Sequence, residues 1–370
     1  MSDKVIDFNK SKQKLMKKMY PNVSPIIPTT KIPSFARTNK ALEKFQEIFF
    51  KYEDSIINEG TVKKIDIQEV IVYFNRFIDE AYIELSESYD LKEVSKFKEA
   101  LDYAMIDGGK RLRPFLLFAT YYFSLGTDFL LITPLMVSLE LIHTFSLIHD
   151  DLPCMDNDEL RRNKPTVWKK YGEDIAVLAG DALLMEASTI LLETVFEFAY
   201  TEYGSYFITS ALILLRLAGL DGMITGQVYD VMNTGNSDLS LQNILYMYDK
   251  KTTALLTASL VIGANMSAKF SKNISYMEEL GIYIGESYQI KDDLLEIEST
   301  TEKIGKSVDS DKNNNKVTYV SKVGIDASKE RLEILYTSSM KLIDMMTDES
   351  NAKESKVYKK IIEYILLRVR

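Results

Sequence analysis

The sequence predicts an all-α fold. Apolar residues recur at the three- and four-residue spacing of a helix face, as at Phe45, Ile48 and Phe49 and again at Val70 and Phe74. We find neither a convincing alternation of apolar and polar residues, as in a half-buried strand, nor a repeat of solenoid length. The chain has 370 residues, of which 46% are hydrophobic, so it is long enough to bury a substantial core.

The predicted elements follow in order from a proline-punctuated beginning. Residues 1–38 are polar and hold four of the chain's eight prolines, which predicts an irregular N-terminal extension. Residues 39–370 are expected to form one α-helical domain. Within it, Ile175–Ala179 is apolar on every side, a pattern typical of a helix in the middle of an all-α fold, whereas Lys306–Lys316 is polar enough to be a loop. The long helices are predicted at residues 133–151, 173–200, 204–233, 240–268, 274–298, 327–346 and 355–368.

Composition narrows the class of protein. A net charge of −9 argues against a nucleic-acid-binding surface, which is usually strongly basic. A single cysteine, Cys154, allows no internal disulfide and suits a reducing compartment, and the presence of only His143 and His149 argues against a histidine-rich zinc site. The longest apolar stretch, Phe129–Ile148, includes a proline and a glutamate, so we expect a buried helix and no transmembrane segment. The N-terminus lacks the apolar core of a signal peptide, so the expected location is cytoplasmic.

The strongest chemical signal is a dense run of aspartates at the end of an apolar helix. Asp150, Asp151 and Asp156 would repel each other unless a cation neutralised them. Mg²⁺ is the natural partner, because it prefers oxygen ligands and completes its shell with water and substrate phosphates. Pro153 lacks a backbone donor and would distort the helix, which would swing Asp156 round to join Asp150. The alternative is a solvated helix end, against which apolar neighbours such as Phe145 argue.

A second acidic cluster consists of Asp292, Asp293 and Glu296, with Gln289 just before it. Asp292 and Glu296 share one helix face, being four residues apart. Alone, such a pair is more typical of a solvated surface helix than of a metal site. Two facing acidic helices, however, would clamp a diphosphate through shared metal ions, as helical bundles often build their sites.

Basic residues gather at several places along the chain. In Gly108–Pro114 (GGKRLRP), paired glycines would let the backbone approach an anion while Lys and Arg supply charge-assisted bonds, although a helix-joining turn explains the segment equally well. Arg161 and Arg162 follow the first aspartates directly, where solvated loop arginines are the alternative. Lys250–Thr253 and Lys306 complete the set, with ordinary solvent-facing lysines as the alternative.

Taken in order, these motifs resemble those of the short-chain trans-isoprenyl diphosphate synthases, the family of farnesyl and geranylgeranyl diphosphate synthases. The resemblance covers about residues 70–370, and residues before about 60 have no counterpart in it. It implies a bundle of about ten or more helices around a deep central cavity. The matching motifs are GGKRLRP (108–114), SLIHDDLPCMDNDELRR (146–162), GDALL (180–184), GQ (226–227), KKT (250–252), QIKDDLLE (289–296) and GKSVDSDKNNNK (305–316).

The resemblance also implies the cofactor. About three Mg²⁺ ions would lie in each active site, with Mn²⁺ able to substitute. Asp150 and Asp156 would bind two ions and Asp292 a third. The carboxylates that would orient metal-bound water are Asp151, Asp293 and Glu296, the last of which replaces the family's usual aspartate.

Two diphosphate substrates are implied in the same way. The allylic diphosphate would be held through the metal ions and by Arg161, Lys251, Lys306 and Gln289. Isopentenyl diphosphate would need no metal, and the C-terminal arginines would close over it. Its implied contacts are Gly109, Lys110, Arg113, His143, Arg162, Arg368 and Arg370.

The implied reaction is the head-to-tail joining of the two substrates through an allylic carbocation. Departing diphosphate would be stabilised by metals and cations, and the carbocation by the Thr252 hydroxyl, the Gln289 amide and backbone carbonyls. In this family the residues just before the first aspartates form the floor of the elongation tunnel, here Phe145 and Ser146. The ring at Phe145 resembles bacterial farnesyl synthases, whereas the surrounding residues resemble plant geranylgeranyl synthases. We therefore expect a mixture of C15 and C20 products.

Alternatives remain at this point. A longer-chain polyprenyl synthase would carry a small residue in place of Phe145. A terpene cyclase would share the acidic motifs but would have no need for GGKRLRP, because it binds only one diphosphate. A non-catalytic subunit should have lost an acidic or basic ligand, and this chain keeps them. The family is typically homodimeric, so we expect a homodimer.

Overall fold

The computed structural model describes residues 38–58, 62–106, 108–267, 273–303 and 317–367, with the backbone alone for Glu296 and residues 298–303. Helices dominate this part of the chain. The first seven are α1 (Asn39–Ile57), α2 (Ile67–Glu87), α3 (Ser95–Met105), α4 (Leu112–Phe123), α5 (Thr133–Asp150), α6 (Val167–Tyr171) and α7 (Glu173–Phe198). The others are α8 (Gly204–Ala218), α9 (Met223–Asn233), α10 (Leu241–Tyr248), α11 (Ala254–Asn265), α12 (Ile274–Lys303), α13 (Tyr319–Val323), α14 (Ile325–Met345) and α15 (Ala352–Leu367).

Smaller elements join these helices. A 3₁₀ turn spans Lys92–Val94, and a π-helical turn, Asp249–Thr253, links α10 to α11. Two short antiparallel strands, β1 (Leu160–Arg161) and β2 (Lys164–Pro165), pair Leu160 with Pro165. The structure therefore confirms the predicted all-α class, with this one hairpin as an addition among the described residues.

Two predicted helices are interrupted in the structure. The helix expected over 204–233 breaks between α8 and α9, because Gly219 and Gly222 take backbone angles outside the helical region. The helix expected over 240–268 contains the π-helical turn Asp249–Thr253 and ends at Asn265. The remaining long helices agree with prediction to within three residues, except that α12 runs on to Lys303. The predicted N-terminal extension and the loop at 306–316 lie outside the described residues, apart from Thr38.

Several helix starts follow from local chemistry. The Asp66 carboxylate accepts a hydrogen bond from the Gln68 N–H at 2.9 Å and caps α2. Ser240 caps α10 through the Asn243 N–H at 3.2 Å. At α13, Thr318 and Ser321 form a reciprocal capping box. Each cap satisfies backbone donors that a helix N-terminus leaves unpaired.

Two helices buried nearly all round occupy the middle of the bundle. They are α4 and α11, which pack against each other, while α8 and α12 also flank α11. Aromatic side chains join α4 to α1: the Phe118 ring meets Phe45 edge-on at 4.8 Å between centroids and Phe49 at 4.9 Å. The helix predicted to lie in the interior was the one holding Ile175–Ala179, and that prediction is wrong: on α7, Val177 and Leu178 are 41% and 55% exposed, because one apolar face of this helix is not covered by the rest of the described chain.

The functional residues lie at the ends of buried helices. α5 packs along α7, and its first ten residues, Thr133–Ile142, are all buried, as predicted for this apolar stretch. The π-helical turn Asp249–Thr253 packs against α9, α11 and α12. Because π-turns displace side chains from the regular helical path, they often mark functional positions.

Candidate active site

A cavity of about 690 Å³ lies beside the C-terminal end of α5, and we call it the central cavity. Its volume is in the range of small-molecule sites. Asp150 and Lys251 give it a charged region, and most of its wall is apolar. The lining residues are Arg113, His143, Phe145, Ser146, Leu147, His149, Asp150, Leu152, Cys154, Met155, Val177, Asp181, Leu184, Met223, Ile224, Gln227, Val228, Val231, Met232, Lys251 and Thr252.

The first aspartate cluster wraps around the end of α5. The chain turns back after Asp150, so that the Asp156 N–H donates to the Asp150 carbonyl at 2.9 Å. Asn157 takes a left-handed backbone (φ 55°), which asparagine tolerates better than most residues, and its N–H donates to the Leu152 carbonyl at 3.1 Å. The backbone therefore returns to Asp150 as predicted, whereas the Asp156 side chain is exposed and does not line the central cavity, so its role as a metal ligand stays a prediction.

Electrostatics at this turn favour a bound cation. Burial raises the pKa of Asp150 to about 6, with Asp156 and Asp151 adding to the rise and Lys251 opposing it. Neighbouring carboxylates that raise each other's pKa in this way are stabilised by positive charge. Their oxygen atoms are the donors that Mg²⁺ prefers, so the residues present fit this ion.

Asp151 occupies a different environment from its neighbours. Its side chain is buried, and its two oxygens share the Arg161 Nε–H, at 2.8 and 2.9 Å, while Oδ1 also accepts from the Arg161 Nη2. The pKa of Asp151 is raised by burial, which the Arg161 guanidinium partly offsets. The predicted metal-water role of Asp151 and the predicted diphosphate role of Arg161 stay predictions, and in this structure the two side chains bind each other.

The hairpin β1–β2 carries the arginine pair. Arg162 (φ 54°) and Asn163 (φ 61°) both have left-handed backbones, as a type I′ turn requires at its two central positions. Asparagine adopts this conformation readily, so Asn163 supports the turn. The turn keeps Arg162 close to the GGKRLRP segment: a Cβ built on Gly109 would lie 2.6 Å from the Arg162 Cζ.

Lys251 projects from the π-helical turn into the central cavity. Its Nζ lies 2.6 Å from the Asp230 Oδ2. Burial lowers the pKa of Lys251, but the carboxylates of Asp150 and Asp230 outweigh it and leave the pKa raised. Lys251 is therefore a fully charged ammonium beside the first aspartate cluster.

Sequence reasoning missed Asp230. Its carboxylate is buried, with 8% of the residue exposed, and it anchors Lys251 from α9. The available signal was its position four residues after Gly226, one helical turn beyond the GQ motif and on the same helix face.

Hydrogen bonds connect the second acidic cluster to Thr252, which follows Lys251 in the π-helical turn. The Thr252 hydroxyl donates to the Gln289 Oε1 at 3.0 Å, and the Gln289 Nε2 lies 3.4 Å from the Asp293 Oδ1. Tyr248 donates its hydroxyl proton to the Asp293 Oδ2 at 2.5 Å and accepts from the Tyr319 N–H at 3.1 Å. The structure thus brings Thr252 and Gln289 together, as predicted, and places the Asp293 carboxylate in a buried hydrogen-bond network.

Asp292 lies in a different environment from the buried Asp293. It is exposed and borders a small second cavity, together with Lys291 on its own helix and Ile365 and Leu366 near the end of α15. Asp292 does not line the central cavity, and the hydrogen bond between Thr252 and Gln289 joins α12 to the π-helical turn that carries Lys251.

The predicted isopentenyl diphosphate residues lie around Arg113. Its Nη1 is 3.1 Å from the His143 Nε2, and its buried Nε has no hydrogen-bond partner among the described residues. Burial and then the charge of Arg113 hold the pKa of His143 well below its usual value, so His143 is neutral and its Nε2 accepts from Arg113. Both side chains line the central cavity, whereas Lys110 is exposed.

Arg111, between these binding residues, was not predicted to have a role. Only 3% of it is exposed, its backbone is left-handed (φ 45°), and its guanidinium donates to Glu140 and to Asp79, each at 2.7 Å. It therefore anchors the GGKRLRP segment to α5 and α2. No spacing in the sequence distinguishes this arginine from Arg113.

Four predicted site residues cannot be placed. Lys306, Arg368 and Arg370 lie outside the described residues, and the Glu296 side chain is not described. The floor residues Phe145 and Ser146 both line the central cavity, as predicted, and the Ser146 hydroxyl donates to the His143 carbonyl at 2.8 Å.

Comparisons with known proteins agree with this geometry. A family model described as Polyprenyl synthetase matches residues 94–365. The chain is 38% identical over 257 residues to the chloroplastic geranylgeranyl pyrophosphate synthase of Catharanthus roseus, covering 68% of this chain and 69% of that protein. It is 40% identical over 242 residues to the farnesyl diphosphate synthase of Geobacillus stearothermophilus, covering 65% and 80%.

Solved structures share the fold. An FPP/GFPP synthase from Zymomonas mobilis, solved in its apo form, superimposes with a TM-score of 0.68 at 29% identity, covering 80% of this chain and 98% of that one. A geranyltransferase from Helicobacter pylori, solved with magnesium and isoprenyl diphosphate, gives a TM-score of 0.64 at 24% identity, covering 89% and 98%. At 24% identity, the similarity to the Helicobacter pylori structure supports the fold and no more.

Proposed function

This chain belongs to the polyprenyl synthetase family, and from that premise we propose how its central cavity performs the reaction. The chain is a prenyltransferase of isoprenoid biosynthesis, a short-chain trans-prenyl diphosphate synthase that produces farnesyl and geranylgeranyl diphosphate. The family resemblance found in the sequence is confirmed. Its substrates are isopentenyl diphosphate and an allylic diphosphate.

One observation carries the assignment of the allylic site. Asp150 and Lys251 lie together on the wall of a cavity that is otherwise mainly apolar. An allylic diphosphate has the same division, with a highly charged head and a hydrocarbon tail. The head would lie against Asp150, Asp156 and Lys251, and the tail would extend along the side chains of α7 and α9.

A divalent cation fits the acidic end of this cavity. Among the described residues, no three carboxylate, imidazole or thiolate groups form a preformed ion site. Water and substrate phosphates would therefore complete the shell, as Mg²⁺ commonly requires. Asp150 and Asp156 would hold two ions at this cavity, and Asp292, which does not line it, is the proposed ligand of a third ion. A bound ion would supply positive charge that stabilises the departing diphosphate.

The chain's own side chains do the rest. Lys251 neutralises the diphosphate head at its charged end, and the Thr252 oxygen and the Gln289 amide face the developing allylic cation. Arg113 and Arg162, with neutral His143 fixing the Arg113 guanidinium, hold isopentenyl diphosphate. The allylic carbon–oxygen bond breaks, the isopentenyl double bond attacks the allylic carbon, and the released diphosphate accepts the proton that is lost.

A product assay tests this function directly. The purified chain is incubated with Mg²⁺, isopentenyl diphosphate and, in turn, dimethylallyl, geranyl or farnesyl diphosphate, and the chain length of the products is determined by mass spectrometry. We expect both C15 and C20 diphosphates. Absence of any elongated product with all three primers would refute the proposed function.

Replacing Phe145 with alanine should lengthen the product. Phe145 is only 5% exposed and lines the central cavity, so removal of its ring frees space in the path of the growing prenyl chain. The C20 share should rise, with products longer than C20 detectable in the same assay. Thr144→Ala is the matched control, because Thr144 is its neighbour on α5 but does not line the cavity. Equal product profiles for the two variants would exclude Phe145 as the floor.

A homodimer is the proposed assembly. On α7, Leu178, Met185 and Leu192 are spaced seven residues apart, share one face and are 55%, 64% and 64% exposed. Ile208 and Leu212 on the adjoining α8 are also exposed. An apolar surface of this kind marks a protein interface more often than a solvated face.

Light scattering coupled to gel filtration tests this surface. Met185→Glu combined with Leu192→Glu should convert a dimer into a monomer, because two carboxylates would be desolvated in each half of the interface. Met345→Glu on α14 is the control, being an exposed methionine on another helix. A wild-type chain that is monomeric at micromolar concentration would refute the dimer.

The cytoplasm remains the proposed location. Two helical stretches, Glu173–Phe198 and Gly204–Asn233, are long and apolar enough by composition to cross a membrane, with 39% of each buried. The second stretch is interrupted at Gly219–Gly222, which leaves a helix of only 15 residues before the break. The exposed apolar face of the first is accounted for by the proposed dimer. Recovery of the enzyme in the membrane pellet after cell fractionation would contradict this location.

A further inference from the structure

The Phe145 ring does not stand alone in the central cavity. His149 lies one helical turn further along α5, on the same face, and also lines the cavity. The two rings meet edge to face, with centroids 5.9 Å apart and an interplanar angle of 78°. The His149 imidazole therefore blocks movement of the Phe145 ring toward α7.

The imidazole itself is held against α7. The His149 Nε2 lies 3.1 Å from the Val177 carbonyl oxygen, which accepts a hydrogen bond from it, and 4.0 Å from the Asp181 Oδ1. The ring fits there only because residue 180 is glycine. A Cβ built on Gly180 would lie 2.1 Å from the Nε2 and 2.4 Å from the Cδ2, far inside van der Waals contact.

We infer that His149, seated against Gly180, is a specificity-determining residue that holds the Phe145 ring in place and so limits the length of the prenyl product. The inference rests on the proposed function, since it concerns the same cavity. Gly180 provides the niche, His149 fills it, and Phe145 rests on His149. The three residues act as one stop for the growing hydrocarbon chain.

Substitutions at the two supporting positions should act in opposite directions. His149→Ala empties the niche beside Phe145, so the ring is able to swing aside and the C20-to-C15 ratio should rise by about fivefold or more. Gly180→Ala drives the imidazole out of its niche toward the cavity, so the ratio should fall by about fivefold. His149→Gln, which keeps a donor for the Val177 carbonyl and a similar volume, should retain the wild-type ratio.

The double variant makes the test specific. With no imidazole to displace, Gly180→Ala should have little effect on the ratio in the His149→Ala background, and the two substitutions should be strongly non-additive. Additive effects would show that Gly180 acts by another route and would overturn the mechanism. A wild-type product ratio in His149→Ala, in a variant with the wild-type helical circular dichroism spectrum, would overturn the inference on its own.

Failure of the inference is distinct from failure of the proposed function. If the wild-type chain elongates no primer, the function is wrong. If the wild-type chain is active and His149→Ala leaves the product lengths unchanged, the function stands and only the role of His149 is wrong.

Discussion

Asp150→Asn should lower kcat by about 10³-fold or more while leaving the helical fold intact. Asp150 is the residue at which the end of α5, the returning Asp156 and the Lys251 ammonium meet. An amide in its place removes one charged oxygen ligand and the charge that would hold a divalent ion. Steady-state kinetics at saturating Mg²⁺ and both substrates measure this loss.

The thermal stability of Asp150→Asn should stay the same or rise although kcat falls. A loss of activity caused by the missing carboxylate can therefore be told apart from a loss caused by unfolding. The pKa of Asp150 is raised to about 6 from its ordinary value of 3.8, so ionisation of this group opposes folding at every pH above that range. The neutral amide removes its repulsion with Asp156 and Asp151. In metal-free buffer at pH 7.5, the thermal midpoint of Asp150→Asn should therefore equal or exceed that of the wild type.

Two comparisons sharpen this prediction. Added Mg²⁺ with a diphosphate ligand should raise the thermal midpoint of the wild type and not that of Asp150→Asn. Asp158→Asn is the matched control, because Asp158 lies in the same turn and loses the same charge, but its side chain is 52% exposed. Its kcat should stay within about threefold of the wild type. Comparable losses in the two variants would argue against the metal assignment.

The sequence predicted correctly those features that depend on interactions between residues close together in the chain. Helical periodicity depends on neighbouring residues, so the helices starting at Thr133 and Glu173 are predicted nearly to their ends. The return of Asp156 was also predictable, because Pro153 and the residues around it determine the turn. The helix break at Gly219–Gly222 was missed because the apolar pattern continues across it while the backbone does not.

Partners distant in sequence could not be predicted. Asp230 reaches Lys251, and Arg111 reaches Asp79 and Glu140, only because the helices that carry them pack together. The same holds for Asp293, whose acidic pattern gave no sign that Tyr248 donates to it. Charged residues in a sequence identify a site, but the tertiary packing decides which of them face substrate and which anchor another side chain.

Lys251→Ala should lower kcat/KM for the allylic substrate by about 10²- to 10³-fold, with the isopentenyl KM within about threefold of the wild type. Lys251 is the cation that most strongly opposes the rise in the pKa of Asp150, and it lines the central cavity. Its removal leaves the carboxylates of Asp150 and Asp230 without their shared ammonium. Varying each substrate separately at saturating concentrations of the other measures the two effects.

Lys250→Ala is a close control for this variant. Lys250 precedes Lys251 in the same π-helical turn, but its Nζ lies 3.2 Å from the Asp221 carbonyl and 3.4 Å from Asp249, and it does not line the cavity. Since its interactions are with groups at the surface, its removal should change kcat/KM by less than about threefold. Equal losses in the two variants would show that the turn as a whole, and not the Lys251 ammonium, is what activity needs.

Asp230→Asn tests whether Lys251 has to be held in position by the Asp230 carboxylate in order to bind the allylic diphosphate. The amide keeps the shape of the carboxylate but no longer holds the Lys251 Nζ at 2.6 Å by an ion pair. If Lys251 must be held in place to meet the diphosphate, Asp230→Asn should lower kcat/KM for the allylic substrate by about tenfold, in the same direction as Lys251→Ala but less severely. A double variant should then lose no more than Lys251→Ala alone, because Asp230 acts only through the ammonium. A further loss in the double variant would give Asp230 a contact of its own with the substrate or a metal ion.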